Sequence, residues 1–206
     1  MNWKSVRRFG VVVLASIGLA ACGINSVPAA EENAKAKWAD VQAAFQARAN
    51  LIPNLAEVAQ GAAEQERGIL TDVVEARAKA TSIQLSADDL NDPAKMAEFQ
   101  AAQGQLGQGI GRLLANFEAY PQLQSIANYQ MLQSQLEGSE NKIRIAIKDY
   151  NEAVRQYNTT IRTFPDTIGA NIIHGAEPMV PYEAVTPGAE VAPELDMTPN
   201  SSTQAE

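Results

Sequence analysis

Apolar positions in the C-terminal half of the chain recur at alternating steps of four and three residues. The repeating positions are Ile143, Ile147, Tyr150, Val154, Tyr157, Ile161 and Phe164. This spacing puts all of them on one face of a helix within Gln122–Pro165, while charged and amide side chains occupy the other faces. Because an apolar stripe on a polar helix has to be buried, the pattern predicts a helix that packs against other helices.

Two further helical segments precede this one. The first begins at Pro28 and keeps its apolar period through Pro53 to about Ser82, so we expect one long helix that is kinked at Pro53. The alternative is that Pro53 marks a turn and ends the first helix. The second begins where Asp92, a good N-cap residue, is followed by proline. No segment shows sustained period-two alternation, which argues against strands. The pattern predicts an all-α fold: an elongated, up-and-down, antiparallel bundle of three to four long helices over residues 29–176.

The composition changes after the third helical segment. We expect Ile168, Ile172 and Ile173 to pack on the bundle. Residues 177–206 are rich in proline and acids and are predicted to form a disordered tail, because they have too little apolar surface to offset the entropy of ordering. From Asp166 onward there are seven acidic side chains and no lysine or arginine, which accounts for most of the net charge of −8. Such an acidic protein is a poor partner for nucleic acid.

The first 21 residues have the organisation of a signal peptide. A short basic stretch precedes an apolar run, Phe9–Leu19, that is much shorter than the ~20 residues of a membrane-spanning helix. The sequence Leu-Ala-Ala-Cys that follows resembles the lipobox of bacterial lipoproteins. It predicts cleavage between Ala21 and Cys22, lipidation at Cys22 and a tether over residues 22–28. The alternative is an ordinary cleaved signal that leaves a free thiol at Cys22.

Candidate catalytic and metal-binding chemistry is sparse. His174 is the one histidine, and no Glu-x-x-His or His-x-x-x-His spacing occurs. Four glycines between positions 104 and 111 have no preceding strand and lack the lysine of a phosphate-binding loop. We expect two helices to approach closely there. Cys22 is the one cysteine, which excludes an intramolecular disulfide. We therefore predict no catalytic residue, no metal site and no cofactor.

Two tyrosines and two asparagines on the last helix are the polar residues that most invite a functional interpretation. Tyr150 and Tyr157 lie on the apolar seam, and Asn151 and Asn158 lie beside it, one heptad apart. One interpretation is that they fix the register of the helices through buried hydrogen bonds, as polar seam residues can. The other is that they line a groove for a peptide or a partner protein.

Several short stretches, taken together, resemble the LemA family. They are RANLIPNL at 48–55, EAR at 75–77, LLANFEAYP at 113–121, ENKI at 140–143, YN at 150–151 and at 157–158, and FP at 164–165. The resemblance implies a long helical bundle on the envelope side of a bacterial membrane, and it supplies no catalytic residues. Members of the family usually carry an N-terminal transmembrane helix, whereas this chain has a lipobox. The glycines at 104–111 also depart from the family pattern.

These observations predict an exported, lipid-anchored lipoprotein of the cell envelope whose bundle acts as an interaction or scaffold domain and is not an enzyme. The expected partners are the membrane, through Cys22, and either another envelope protein or a second copy. Gly23 rather than aspartate follows the cysteine, which favours the outer membrane over the inner one by resemblance to lipoprotein sorting. The alternative is an envelope enzyme or small-ligand-binding protein, for which a deep pocket lined by convergent polar groups would be expected.

Overall fold

The computed structural model describes residues 3–59, 64–118 and 127–183. Its long helices are α1 (Trp3–Ala59), α2 (Glu64–Ser82), α3 (Pro93–Glu118) and α4 (Ala127–Thr160). The shorter elements are a 3-10 helix (Ala87–Asn91) before α3, a helix α5 (Asp166–Gly169), and a π-helical turn (Ala170–His174) that continues it. These ranges contain no strand, and the predicted all-α fold is confirmed.

The first predicted helix is in fact two helices that run in opposite directions. α1 continues through Pro53 for six more residues, and α2 then runs back along it. Nε of Arg77 on α2 donates to the carbonyl of Ala49 at 2.9 Å, and Gln42 donates to the carbonyl of Leu85, beyond the end of α2. The prediction of one long helix was therefore wrong. The apolar period could not show the reversal, because both helices keep the same spacing of apolar residues.

The bundle begins closer to Cys22 than the sequence predicts. α1 runs without a break through residues 22–28, the predicted tether. Val27 has no exposed surface and belongs to the core. Pro28 suggested a helix start because proline is favoured in the first turn, but here it lies inside the helix. The helix that enters the core is therefore the same one that carries Cys22.

α3 begins where the sequence predicts. Oδ1 of Asp92 accepts hydrogen bonds from the backbone N–H groups of Ala94 at 2.9 Å and Lys95 at 3.3 Å, so it caps the first turn. Pro93 is the first helical residue and has no N–H to leave unsatisfied. The predicted start of this helix is confirmed.

α4 packs antiparallel to α1 and buries most of the predicted seam. Lys37 and Arg48 on α1 contact Asp149 and Glu140 on α4, and Ser26 contacts Asp166 on α5, beyond the end of α4. Five of the seven seam residues are buried and Ile147 is partly buried, but Phe164 is 74% exposed. The helix ends at Thr160 and the chain then turns. Phe164 therefore leaves the seam, and its predicted burial was wrong.

The interior of the bundle consists of two apolar clusters with a polar layer between them. One cluster surrounds Trp38 and Tyr150, and the other surrounds Leu55 and Leu106. Arg48 lies between the two clusters and is only 4% exposed. A buried guanidinium is costly unless its donors are paired. The hydrogen bonds of Nη1 and Nη2 therefore constrain how the helices meet at the middle of the bundle, while Nε has no partner among the described residues.

The chain beyond α4 packs differently from the prediction. Ile168, Ile172 and Ile173, expected to pack on the bundle, are 49%, 80% and 57% exposed. Met179 and Tyr182, which the prediction placed in the disordered tail, are buried instead. The packed bundle therefore extends to residue 183, past the predicted boundary at 177. The rest of the predicted tail lies outside the described residues.

Two of the four glycines on α3 allow a neighbouring side chain to come close. A Cβ atom at Gly109 would lie 3.2 Å from Cγ2 of Val73 on α2, and one at Gly107 would lie 3.4 Å from a guanidinium nitrogen of α1. A Cβ atom at Gly104 or Gly111 would meet nothing within 4 Å. The expected close approach is therefore present at Gly107 and Gly109 and absent at the other two positions.

Alanine at the two uncrowded positions is expected to stabilise the protein. Gly104→Ala and Gly111→Ala should each raise the free energy of unfolding by about 0.5–1 kcal/mol, because alanine loses less backbone entropy in a helix. Chemical denaturation monitored by circular dichroism measures the change. Gly109→Ala is the matched control and should gain less, since its Cβ crowds Val73. An equal gain at all three positions would contradict this interpretation.

Candidate peptide groove

The polar residues on α4 hold an extended segment of the same chain. We call residues 177–183 the strap. It runs antiparallel to α4, with Met179 beside Asn158 and Tyr182 beside Asn151. The 3-10 helix before α3 lies on another side of the strap, where the carbonyl of Leu90 accepts a hydrogen bond from the N–H of Val180 at 2.9 Å. The strap therefore occupies a groove between α4 and the start of α3.

Each asparagine binds both backbone groups of one strap residue. Nδ2 of Asn158 donates to the carbonyl of Met179 at 2.8 Å, and Oδ1 accepts from the N–H of Met179 at 2.9 Å. Asn151 repeats this arrangement on Tyr182, at 2.9 Å and 2.8 Å. Gln100 on α3 can make the same pair with Glu183, at 3.2 Å and 2.9 Å, when its amide nitrogen faces the carbonyl. These contacts recognise an extended backbone rather than particular side chains.

The two tyrosines add hydrogen bonds to the carbonyls of the strap. The hydroxyl of Tyr150 donates to the carbonyl of Val180 at 2.9 Å, and the hydroxyl of Tyr157 donates to the carbonyl of Glu177 at 3.0 Å. Burial raises the pKa of both tyrosines above its usual value. Both hydroxyls therefore stay protonated, and able to donate, at neutral pH.

Every backbone N–H group between Pro178 and Tyr182 is hydrogen-bonded. Its two prolines have no N–H, and the N–H groups of Met179, Val180 and Tyr182 are all bound. The spacing also agrees with the geometry of the two elements. Seven residues of helix rise about 10.5 Å, and three residues of extended chain cover about 9–10 Å. Asparagines one heptad apart can therefore bind strap residues three apart.

Apolar side chains fasten the strap to the bundle core. Met179 is 3% exposed and Tyr182 is 9% exposed. The ring of Tyr182 lies 5.8 Å from that of Phe45 on α1 and 6.5 Å from that of Phe99 on α3, measured between centroids. Burial raises the pKa of Tyr182 to about 12. The strap is therefore anchored by side chains that enter the core and aligned by hydrogen bonds along its backbone.

The comparison with protein families adds an independent observation. A model described as the LemA family matches residues 37–196, which is most of the chain. This chain belongs to the LemA family. The matched region contains both the polar face of α4 and the whole strap, so the groove and the segment inside it are part of the LemA region. Cys22 lies before that region.

Two curated relatives are similar to this LemA chain over much of its length. They are the magnetosome proteins MamQ 1 and MamQ 2 of Paramagnetospirillum magneticum (strain ATCC 700264 / AMB-1), each 27% identical over 157 residues. The similarity covers 68% of this chain and 58% of each relative. The chain therefore spans less than two thirds of the length of these relatives.

The sequence singled out some residues of this LemA groove and missed others. It indicated Tyr150, Asn151, Tyr157 and Asn158, and the structure brings all four to the strap. Their hydrogen bonds go to the strap backbone and not to a neighbouring helix. The sequence did not predict the strap residues that these side chains bind, because the proline content of residues 177–206 indicated a disordered tail. The usable signal was the three-residue repeat in Pro-Met-Val-Pro-Tyr at 178–182, which matches the heptad spacing of the asparagines.

The predicted lipidation and cleavage residues of this LemA chain have side chains outside the described set, and the one histidine lies on the turn before the strap. Cys22 and Ala21 are on α1, and their side chains are not among those the structure describes. His174 is exposed at the end of the π-helical turn. Over the described ranges, no group of three or more histidine, cysteine, aspartate or glutamate side chains could hold a metal ion. Nor does any helix there have an apolar stretch long enough to cross a bilayer.

Two cavities of the bundle are large enough to admit a small ligand. One, of about 280 Å³, is lined by residues of α1, α2 and α3. Two glutamines on its wall are already bound, Gln42 to the carbonyl of Leu85 and Gln103 to that of Ala80. The other, of about 520 Å³, lies along α3 and α4 beside Glu140. Neither combines an enclosed apolar pocket with the convergent polar groups typical of a ligand site.

Proposed function

We propose that this protein is an envelope lipoprotein, anchored through Cys22, whose helical bundle presents a peptide-binding groove to other envelope proteins. In this proposal it faces the periplasm, is placed in the outer membrane rather than the inner one, and catalyses no reaction. Its partners are the membrane and an extended segment of another envelope protein or of a second copy. The strap then acts as the resident ligand of the groove.

One observation carries the interaction role: the paired amide hydrogen bonds to the backbone of the strap. An asparagine that binds the N–H and carbonyl of one residue accepts any extended peptide at that position. Specificity would come from the two anchors, Met179 and Tyr182, whose side chains fill the core. A competing segment therefore needs apolar or aromatic residues three positions apart in an extended, proline-containing stretch.

The anchor is supported by the sequence around Cys22 and by the course of α1. Two or three acyl chains hold a protein on a bilayer far more firmly than one, because each buried methylene contributes about 0.8 kcal/mol. Val27, five residues after Cys22, is already in the bundle core. The anchor therefore leads directly into the domain, which suits a protein that displays a surface near the membrane.

Peptide binding to the groove can be measured on the full chain. The probe is a fluorescent peptide with the sequence of residues 176–184, and its anisotropy reports binding. Tyr182→Ser should loosen the resident strap, so this variant should bind the probe more tightly than the wild type does. Adding Asn151→Ala and Asn158→Ala should abolish that binding. A folded Tyr182→Ser protein that binds no peptide at any accessible concentration would exclude an exchangeable strap.

The anchor can be tested by the mass of the N-terminal peptide. The mature protein should begin at an acylated Cys22 and remain in the membrane fraction after a high-salt wash. Cys22→Ala should instead keep residues 1–21, because the lipoprotein peptidase would not cleave it. Cleavage at another position, with a free thiol at Cys22, would contradict the lipid anchor and leave the groove proposal to be judged by the peptide experiment.

A further inference from the structure

The segment that follows α4 carries a concentration of exposed apolar side chains. We call residues 161–175 the apolar hairpin. Of the seven large apolar side chains that are exposed among those described, four lie in this segment: Phe164, Ile168, Ile172 and Ile173. Phe164 and Ile172 are 74% and 80% exposed. Contiguous exposed apolar surface on a soluble domain usually marks a contact with a membrane or another protein.

The hairpin is fastened to the part of α1 that lies closest to Cys22. Oγ of Ser26 donates a hydrogen bond to a carboxylate oxygen of Asp166 at 2.7 Å. Ala170 has no exposed surface and belongs to the same cluster as Val27. The hairpin therefore buries its small residues against α1 and leaves its large apolar ones outside.

The distance from the lipidation site identifies what would cover this surface. Ser26 is four residues after Cys22 in a continuous helix, a rise of about 6 Å. The polar headgroup layer on each side of a bilayer is about 5–8 Å thick. With acyl chains on Cys22, the hairpin cannot be far from that layer, whatever the tilt of α1.

We propose that the apolar hairpin inserts its phenylalanine and isoleucine side chains into the headgroup region of the bilayer that holds the acyl chains of Cys22. This inference rests on the lipid anchor proposed above. The hairpin carries Arg162 and Asp166 and has no net formal charge with His174 neutral, although the chain as a whole is at −8. An uncharged apolar surface avoids the repulsion that the acidic tail would meet at anionic lipids. The bundle then has two points of attachment and stands in a fixed orientation.

The test places a fluorophore on the hairpin of the full, lipidated chain. Because acylation blocks Cys22, a single engineered cysteine can be labelled selectively. The probe site is Ile172→Cys, with Ile173→Cys as a second site in case the first disturbs the hairpin. The matched control is Ile145→Cys on α4, which is 51% exposed. Ile145 lies between Glu140 and Asp149, which contact Arg48 and Lys37 on α1. The part of α1 beside Ile145 is therefore at least about 16 Å along the helix from Ser26.

The labelled proteins are reconstituted into vesicles of phosphatidylethanolamine and phosphatidylglycerol. Quenching by aqueous iodide should be severalfold weaker at Ile172→Cys than at Ile145→Cys, and lipids with a shallow nitroxide should quench only the hairpin probe. Equal iodide quenching at the two sites would overturn the inference. So would a hairpin probe shielded from iodide but not quenched by nitroxide lipids, because a protein would then cover it. Both outcomes leave the lipid anchor intact.

The same preparation separates failure of the inference from failure of the proposed function. Labelling of Cys22 itself, together with an unacylated N-terminal peptide by mass spectrometry, would show that no lipid anchor exists. The lipid-anchor part of the proposed function and the hairpin contact would then both fall, while the groove would still be judged by the peptide experiment. An acylated Cys22 with a fully accessible hairpin would remove the membrane contact alone.

Discussion

Arg48→Ala is expected to lower the free energy of unfolding by about 2–4 kcal/mol. Arg48 makes three hydrogen bonds in the polar layer: Nη1 to Oε1 of Glu140 at 3.0 Å, and Nη2 to the carbonyl and Oε1 of Gln103 at 3.1 Å and 2.9 Å. Its guanidinium also lies 5.1 Å from the centre of the Phe45 ring. Alanine would leave a cavity between the two apolar clusters and remove the donors from the buried Gln103, whereas Glu140 is half exposed and can be hydrated.

Two comparison variants separate packing from charge at this position. Arg48→Met fills much of the volume without a buried charge, so it should cost less than Arg48→Ala. Arg112→Ala, at an exposed position on the same bundle, should change the free energy of unfolding by no more than about 0.5 kcal/mol. Urea denaturation followed by circular dichroism ranks the three variants. If Arg48→Met proves as destabilising as Arg48→Ala, the hydrogen bonds rather than the filled volume account for the loss.

The double substitution Asn151→Ala and Asn158→Ala is expected to release the strap. It removes four hydrogen bonds and leaves the backbone groups of Met179 and Tyr182 without partners. At about 0.5–1.5 kcal/mol for each bond, the free energy of unfolding should fall by about 2–6 kcal/mol. The strap should also open locally before the bundle unfolds, because its remaining attachment depends on two side chains and a few carbonyl contacts.

Hydrogen exchange measured by mass spectrometry distinguishes local release from general destabilisation. Peptides that cover residues 177–183 should exchange much faster in the double variant, while peptides from the middle of α4 keep their protection. Asn171→Ala is the matched control, since the Asn171 amide donates to Thr167 within the hairpin. An unchanged exchange rate across the strap would show that the apolar anchors alone hold it.

The helical class and several local features follow from the sequence for clear physical reasons. The cap at Asp92 is encoded by two adjacent residues, so its prediction needs no tertiary information. The α4 seam is encoded by spacing alone, and it holds as far as Ile161. It fails at Phe164 because spacing does not encode where a helix ends. For the same reason the spacing could not predict that α1 ends and α2 runs in the opposite direction.

The groove could be predicted only in part. Asn151 and Asn158 are conspicuous because amides beside an apolar seam need partners. Nothing local to them indicates that the partners come from a segment 21 residues later for Asn158 and 31 residues later for Asn151. The proline-rich composition of that segment suggested disorder. The same prolines reduce the number of N–H groups that must be hydrogen-bonded when the strap is ordered. Proline content therefore predicted disorder in a segment whose order it in fact favours.

The unbroken course of α1 sets the distance from the membrane at which a partner protein would have to reach the groove. Sixteen residues separate Cys22 from Trp38, about 24 Å of helix, and Trp38 lies against Tyr150, with ring centroids 5.1 Å apart. An extended linker of about seven or eight residues covers the same distance. A protein anchored in the same leaflet could therefore place a short juxtamembrane segment in the groove without a long flexible linker.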